Sequence, residues 1–203
     1  GLYAAGECAC VSVHGANRLG TNALLELVVF GRRAGNAMAE YCAGAELEPA
    51  GEAPMEQARE AVETLRTRDS GERPADIRRE MQELMMENVS VFRTEELLQE
   101  AKEKLADLRE RAKSIAVDDR RKTFNTDLTE AWETVGMVEL AQVITECALN
   151  RTESRGAHSR EDYPDRNDDD WLKHTLAFPD DGEVELRYRP VTITKFEPKE
   201  RTY

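Results

Sequence analysis

The charge of this chain changes character near residue 45, and that break constrains the fold more than any other feature. Within residues 1–45 three basic side chains (Arg18, Arg32, Arg33) balance three acidic ones (Glu7, Glu26, Glu40), so the formal net charge of −13 lies entirely beyond them. Before the break, Ala23-Leu24-Leu25-Glu26-Leu27-Val28-Val29-Phe30 and the small-residue sequence to about Ala43 predict a helix with Thr21 or Asn22 as its N-cap. It is apolar around most of its circumference, and such a helix is buried on several sides. Residues 1–45 hold too few apolar partners to do this. Leu2 to Ala5 reads as a buried strand entered midway, so the expectation is a piece of a longer polypeptide, with residues 1–45 poorly ordered or self-associating on their own.

Beyond the break the pattern is amphipathic. Residues 46–54 form a linker by composition, broken by Pro49, Gly51 and Pro54. Met55 to Arg68 predicts one helix. Pro74 suits the first turn of the next, with Ile77, Met81, Leu84 and Met85 on one face. Thr94-Glu95-Glu96 opens a third, striped by Leu97, Leu98, Ala101, Leu105, Leu108 and Ala112, with charges opposite. Asn125-Thr126-Asp127 caps a fourth, running through Leu128, Trp132, Val135, Val138, Leu140, Val143, Ile144 and Cys147 to about Asn150. Long helices with short connections predict an antiparallel bundle whose Met and Leu stripes are core. Residues 151–170 read as irregular and densely charged. Glu183 to Tyr188 and Val191 to Thr194 alternate like short strands. The fold class is therefore mostly α, with residues 55–150 as the bundle and 151–203 as a C-terminal extension.

Composition removes several functions. A pI of about 4.8 argues against a nucleic-acid partner, which needs a clustered positive field. No stretch approaches the ~20 apolar residues of a membrane span. Cys8, Cys10, Cys42 and Cys147 are too few for a disulfide scaffold, and Cys8-x-Cys10 followed by His14 fits no standard zinc spacing, so no metal site is expected. Asp168-Asp169-Asp170 lacks the Gly and terminal Glu of a calcium loop and reads as an acidic turn capping a helical Trp171-Leu172-Lys173-His174. His158, His174 and Asp162 have no spacing that demands an acid–base pair. The loop Val13 to Asn22 is different. Arg18 stands there between apolar elements with no acid beside it in sequence, ahead of a helix N-terminus that offers free N–H groups. Its planar fork suits a carboxylate, from either a ligand or the protein.

The same residues carry a family resemblance. Gly1-Leu2-Tyr3-Ala4-Ala5-Gly6-Glu7, Val11 to Gly20 with its His14-Gly15-Ala16-Asn17-Arg18 run, and Leu27 to Arg32 resemble the flavoprotein subunit of succinate dehydrogenase and fumarate reductase. So do Phe92-Arg93-Thr94, Phe124-Asn125-Thr126, Arg151 to Arg166, Trp171 to Leu176 and the ending Pro198 to Tyr203. Val11-Ser12-Val13 ahead of the His-Gly-Ala-Asn-Arg run favours the succinate dehydrogenase branch over fumarate reductase or L-aspartate oxidase.

The resemblance implies that residues 1–45 are the last strand and helix of an FAD-binding α/β domain. The family's Gly-rich dinucleotide turn has no counterpart in this chain, so the resemblance implies that the chain alone carries no FAD and is inactive. It also implies that Glu7 holds the FAD hydroxyls, that backbone groups of Ala23 and Leu24 face the flavin, and that Arg18 clamps a substrate carboxylate, with His14 lining the same loop. No catalytic acid or base is carried over. An iron–sulfur subunit, membrane-anchor subunits and a dicarboxylate are the implied partners, at the cytoplasmic face of the inner membrane. The alternative from a different class is a non-catalytic helical interaction module, with Arg18 closed by a protein carboxylate.

Overall fold

The computed structural model describes residues 1–11, 14, 20–47, 49, 51–180 and 183–199. Among the described residues the helices are α1 (Asn22–Gly44), α2 (Glu52–Thr67), α3 (Pro74–Asn88), α4 (Glu95–Ala112), α5 (Thr126–Asn150) and the single turn α6 (Asp168–Trp171). Short strands β1 (Phe92–Arg93) and β2 (Ser159–Arg160) pair in parallel, while β3 (Lys173–Asp180) and β4 (Glu183–Pro190) form an antiparallel ribbon.

Local chemistry sets most helix starts. Pro74 occupies the first turn of α3, where its missing N–H is no loss. The Thr94 hydroxyl accepts from the Leu97 N–H, and the Asn125 side chain accepts from the Leu128 N–H, so α4 and α5 begin as expected. The helix α2 begins at Glu52 rather than Met55. Pro54 lies inside its first turn, where the backbone N–H has no intrahelical partner to lose.

The core lies among α3, α4 and α5, with α2 against α5. Ile77, Met81 and Leu84 of α3 meet Leu98, Ala101, Leu105 and Leu108 of α4. On α5 the buried face is Ala131, Thr134, Val138, Ala141, Thr145 and Ala148, spaced by threes and fours. This corrects the expected stripe: Trp132, Leu140 and Ile144 are about half exposed or more. Small side chains let α5 approach two neighbours closely, and the bulky ones are displaced to the outside. The loops before α3 and after α4 also meet: the Ala116 N–H donates to the Glu72 carbonyl at 3.0 Å. A Cβ on Gly71 would stand 1.8 Å from the Ser114 carbonyl oxygen, so glycine is required there.

Three further expectations are corrected. Leu2 to Ala5 pairs with no strand among the described residues; an extended segment gains a ladder only beside a partner. The aspartates themselves form α6, capped by the Asn167 side chain, and Lys173 and His174 open β3 instead of continuing the helix. Val191 to Thr194 is not a strand; β4 ends at Pro190, which has no N–H to extend the ladder. The ribbon partner of β4 is Lys173–Asp180, with Leu176 opposite Arg187. Among the described residues no helix is long and apolar enough to cross a membrane.

Candidate functional site

Two of the expected site elements stand side by side. Gly6 turns the chain at φ +85°, with the Ala9 N–H donating to its carbonyl at 2.9 Å. A Cβ at Gly6 would come within 2.6 Å of the Leu27 side chain, so only glycine seats the Gly6-Glu7 turn against α1. Glu7 is exposed at that turn. Thr21 is the α1 N-cap by position, but its hydroxyl makes no capping bond and its φ of 68° is strained for a β-branched residue. That conformation stores on the order of 1–3 kcal/mol, as residues beside functional sites often do. The first turn of α1 holds no acid, and the N–H groups at Ala23 and Leu24 receive no Thr21 cap.

The helix α1 is not buried as its composition would require. Leu24, Leu25 and Val28 are 69%, 65% and 72% exposed. Its one buried residue is a carboxylate, Glu26, whose Oε2 lies 2.7 Å from His14 Nε2. Arg18, with Val13 and Gly15 to Leu19, lies outside the described residues.

Opposite this N-terminal corner is a cavity of about 920 Å³, walled by Gly6, His14 and Glu26 on one side and by Arg93, Arg151 and His158 on the other. The far wall is a buried ionic lattice made by the segment after α5. Glu153, fully buried, accepts from Arg151 Nη1 at 2.6 Å, from Arg155 Nε at 2.8 Å and from the Asn167 N–H at 2.9 Å. Burial opposes its charge, but Arg155, the Asn167 N–H and Arg151 together hold its carboxyl below the usual range. Arg160, also fully buried, donates to both oxygens of Asp162 at 2.8 and 2.7 Å and to the Leu149 carbonyl at 3.0 Å. The Arg160 bonds hold Asp162 down to about 2, and Asp162 Oδ2 also accepts from the Glu95 N–H. One ion pair thus ties the C-terminus of α5 to the N-terminus of α4.

His158 sits within this lattice. Arg93 Nη1 donates to its Nδ1 at 2.7 Å, so Nε2 carries the proton toward the Arg151 carbonyl at 3.2 Å. Burial and the charges of Arg93, Arg151 and Arg160 push it below its ordinary value, against the pull of that carbonyl. His158 is therefore a neutral structural link. Asp162 is committed to Arg160, so His158, His174 and Asp162 do not assemble into an acid–base set. Cys8, Cys10 and Cys42 are exposed free thiols, and among the described residues no three His, Cys, Asp or Glu side chains converge for a metal. Sequence reasoning missed Glu26 and the lattice. An isolated acid inside the apolar run Ala23 to Phe30 was the available signal for the first.

Comparison with known proteins now bears on these elements. The family described as the fumarate reductase flavoprotein C-terminal region matches residues 78–203, and the FAD binding domain family matches residues 1–24. The fumarate reductase flavoprotein subunit of Mycobacterium tuberculosis is 45% identical across 100% of this chain and 36% of its own length. The succinate dehydrogenase flavoprotein subunit of Rickettsia bellii is 46% identical across 96% of the chain and 33% of its own length. A solved quinol fumarate reductase of E. coli superposes with a TM-score of 0.91 at 43% identity, covering 98% of this chain and 35% of that one. The chain spans about a third of the length of these relatives. With a matching C-terminal region, residues 1–24 matching an FAD binding domain and a fold shared over 98% of the chain, this chain belongs to the family of succinate dehydrogenase and fumarate reductase flavoprotein subunits.

Proposed function

We propose that the chain is the C-terminal part of a flavoprotein subunit that oxidises succinate to fumarate, delivering a hydride to FAD and electrons to an iron–sulfur subunit. The observation that carries this reading is the start of α1: its first turn holds no acid and receives no cap from the Thr21 side chain, and His14, four residues before Arg18 in sequence, contacts Glu26 of that helix. Residues 1–45 then complete the FAD domain, 46–54 link it to the helical domain at 55–150, and 151–203 form the extension. The subunit is placed at the cytoplasmic face of the inner membrane through iron–sulfur and membrane-anchor partners.

The residues present fit the flavin. The Gly6 turn sets Glu7 at the surface beside α1, where its carboxylate would accept from FAD hydroxyls. The Ala23 and Leu24 N–H groups would turn the positive end of the α1 dipole toward the electron-rich pyrimidine edge. FAD, when bound, supplies the hydride acceptor. Arg18 would grip one carboxylate of the dicarboxylate as a bidentate fork and fix its methylene carbons, a positioning effect. No residue of this chain is assigned the proton transfer.

Fumarate reduction is the second reading, favoured by the similarity to the E. coli quinol fumarate reductase; Val11-Ser12-Val13 favours succinate oxidation. Initial rates in both directions, measured on the full-length subunit in its complex with the same electron carrier, test the choice. Faster succinate oxidation is expected; fumarate reduction faster by tenfold or more would reverse the assignment.

A further inference from the structure

A second cavity, of about 680 Å³, opens between α2, the end of α4 and α5, and shares no lining residue with the first. It exists because α2 is held at one end. Arg66 and Arg68 donate to the Arg120 and Ile115 carbonyls, whereas Glu52 to Ala61 are exposed throughout. The lining is mainly apolar: Leu65 and Ala112 are its buried part, and Trp132 stands in its wall 49% exposed. Gly136 lies in the same wall, in the middle of α5. Glycine inside a helix destabilises it relative to alanine, and a Cβ on Gly136 would meet nothing within 4 Å, so no packing within the chain calls for glycine there. Glu60 of α2 and Glu139 of α5 flank the opening without a hydrogen-bond or ion-pair partner among the described residues. Lys113, the cation of the lining, is committed to both oxygens of Glu110 at 2.6 and 2.8 Å.

We propose that this cleft docks a basic amphipathic helix of a partner protein. A groove between two helices is a setting in which a third lays down its apolar face, and here Leu65 and Val135 offer the apolar contact. The small residues Ala61 and Gly136 leave the incoming backbone room to approach. Trp132 supplies a large, rigid anchor whose ring face also takes an arginine or lysine. The unpaired Glu60 and Glu139 set the sign of the partner, because an acidic segment would be repelled at both walls. The same charge argument disfavours a second copy of this chain, which carries −13 of its own.

The test uses the full-length flavoprotein in its native complex and a fluorescein-labelled synthetic helix, with leucines at i, i+3, i+4 and i+7 and lysines and arginines elsewhere. Binding is followed by fluorescence anisotropy, and the same peptide with glutamates in place of its basic residues is the control. The basic peptide is expected to bind and the acidic one to stay free. Any basic peptide is drawn to a chain of charge −13, so the deciding variant changes no charge. Gly136→Leu fills the cleft and is expected to weaken the basic peptide about tenfold or more, and Trp132→Ala should do the same. Glu60→Gln combined with Glu139→Gln should weaken it about threefold or more at low salt. The proposal is overturned if the basic peptide does not bind, if the acidic peptide binds as well, or if Gly136→Leu and Trp132→Ala leave binding within twofold. A complex that sediments as a dimer and is dissolved by Gly136→Leu would give the cleft to a second copy and overturn the partner helix. Should Gly136→Leu fail to assemble, Trp132→Ala, at a half-exposed position, decides the matter.

Discussion

Replacing Arg160 by Met should be among the most damaging single changes in the bundle. Arg160 is fully buried, donates to both Asp162 oxygens and bonds the Leu149 and Ala148 carbonyls at the end of α5. Removing one partner of a buried ion pair costs about 3–5 kcal/mol, chiefly because the other charge is left behind. Asp162 keeps 28% of its side chain in water, which favours the lower end, about 3 kcal/mol. The lost donors to the last carbonyls of α5 and the lost α4 cap through Asp162 act in the same direction. Against a total stability of about 5–15 kcal/mol this is a large fraction, and the midpoint should fall by about 6–12 °C. The assay is urea and thermal unfolding of this chain followed by far-UV circular dichroism. Arg187→Ala, which breaks an exposed pair with Glu185, should leave the midpoint unchanged. An Arg160→Met variant as stable as the parent would refute the view that this ion pair ties α4 to α5.

Acid should unfold the chain in two stages. His158 is depressed below its ordinary 6.5, so the unfolded state takes up that proton first and stability declines as pH drops below about 6.5; His158→Gln should remove this stage from a plot of unfolding free energy against pH. Asp162, at about 2 against an ordinary 3.8, with Glu153 also lowered, gives stability that is present above about pH 4 and lost toward pH 2. Gly71→Ala should destabilise by about 2 kcal/mol or more, because the new Cβ meets a backbone oxygen, whereas Gly136→Ala, in open space within α5, should stabilise by about 0.5–1 kcal/mol. Sedimentation should show the chain self-associating through Leu25 and Val28 of α1, and Leu25→Lys with Val28→Glu should reduce it.

Helix starts were legible wherever a single residue carries the chemistry. Pro74, Thr94 and Asn125 mark α3, α4 and α5 by what their side chains or rings do to the first turn. The buried face of α5 was not legible. That helix has large apolar residues interleaved with acids all round its circumference, so hydrophobicity alone pointed to its largest residues, Trp132, Leu140 and Ile144, while close packing selected Ala131, Ala141 and Ala148. The strand β3 was hidden by its opening Lys173-His174 and by Pro179, although Asp181-Gly182 is the dipeptide that favours a two-residue hairpin. Residues 151–170 read only as irregular and densely charged. Which charges pair is a property of the folded chain: buried Glu153 pairs with Arg151 and Arg155, and buried Arg160 with Asp162. At the site, glycine, loop and helix start could be read from residue type; the Glu26–His14 contact spans the loop and appears only once α1 is placed.

The central claim is that Arg18 binds the dicarboxylate in a flavin site completed by Glu7 and the start of α1. Its most direct test is kcat/KM for succinate in the full-length complex carrying Arg18→Ala, with flavin content measured on the same sample. A fall of about a thousandfold or more with flavin retained is the expected result, since the fork both binds and positions the substrate. Near-normal turnover with full flavin would contradict the claim.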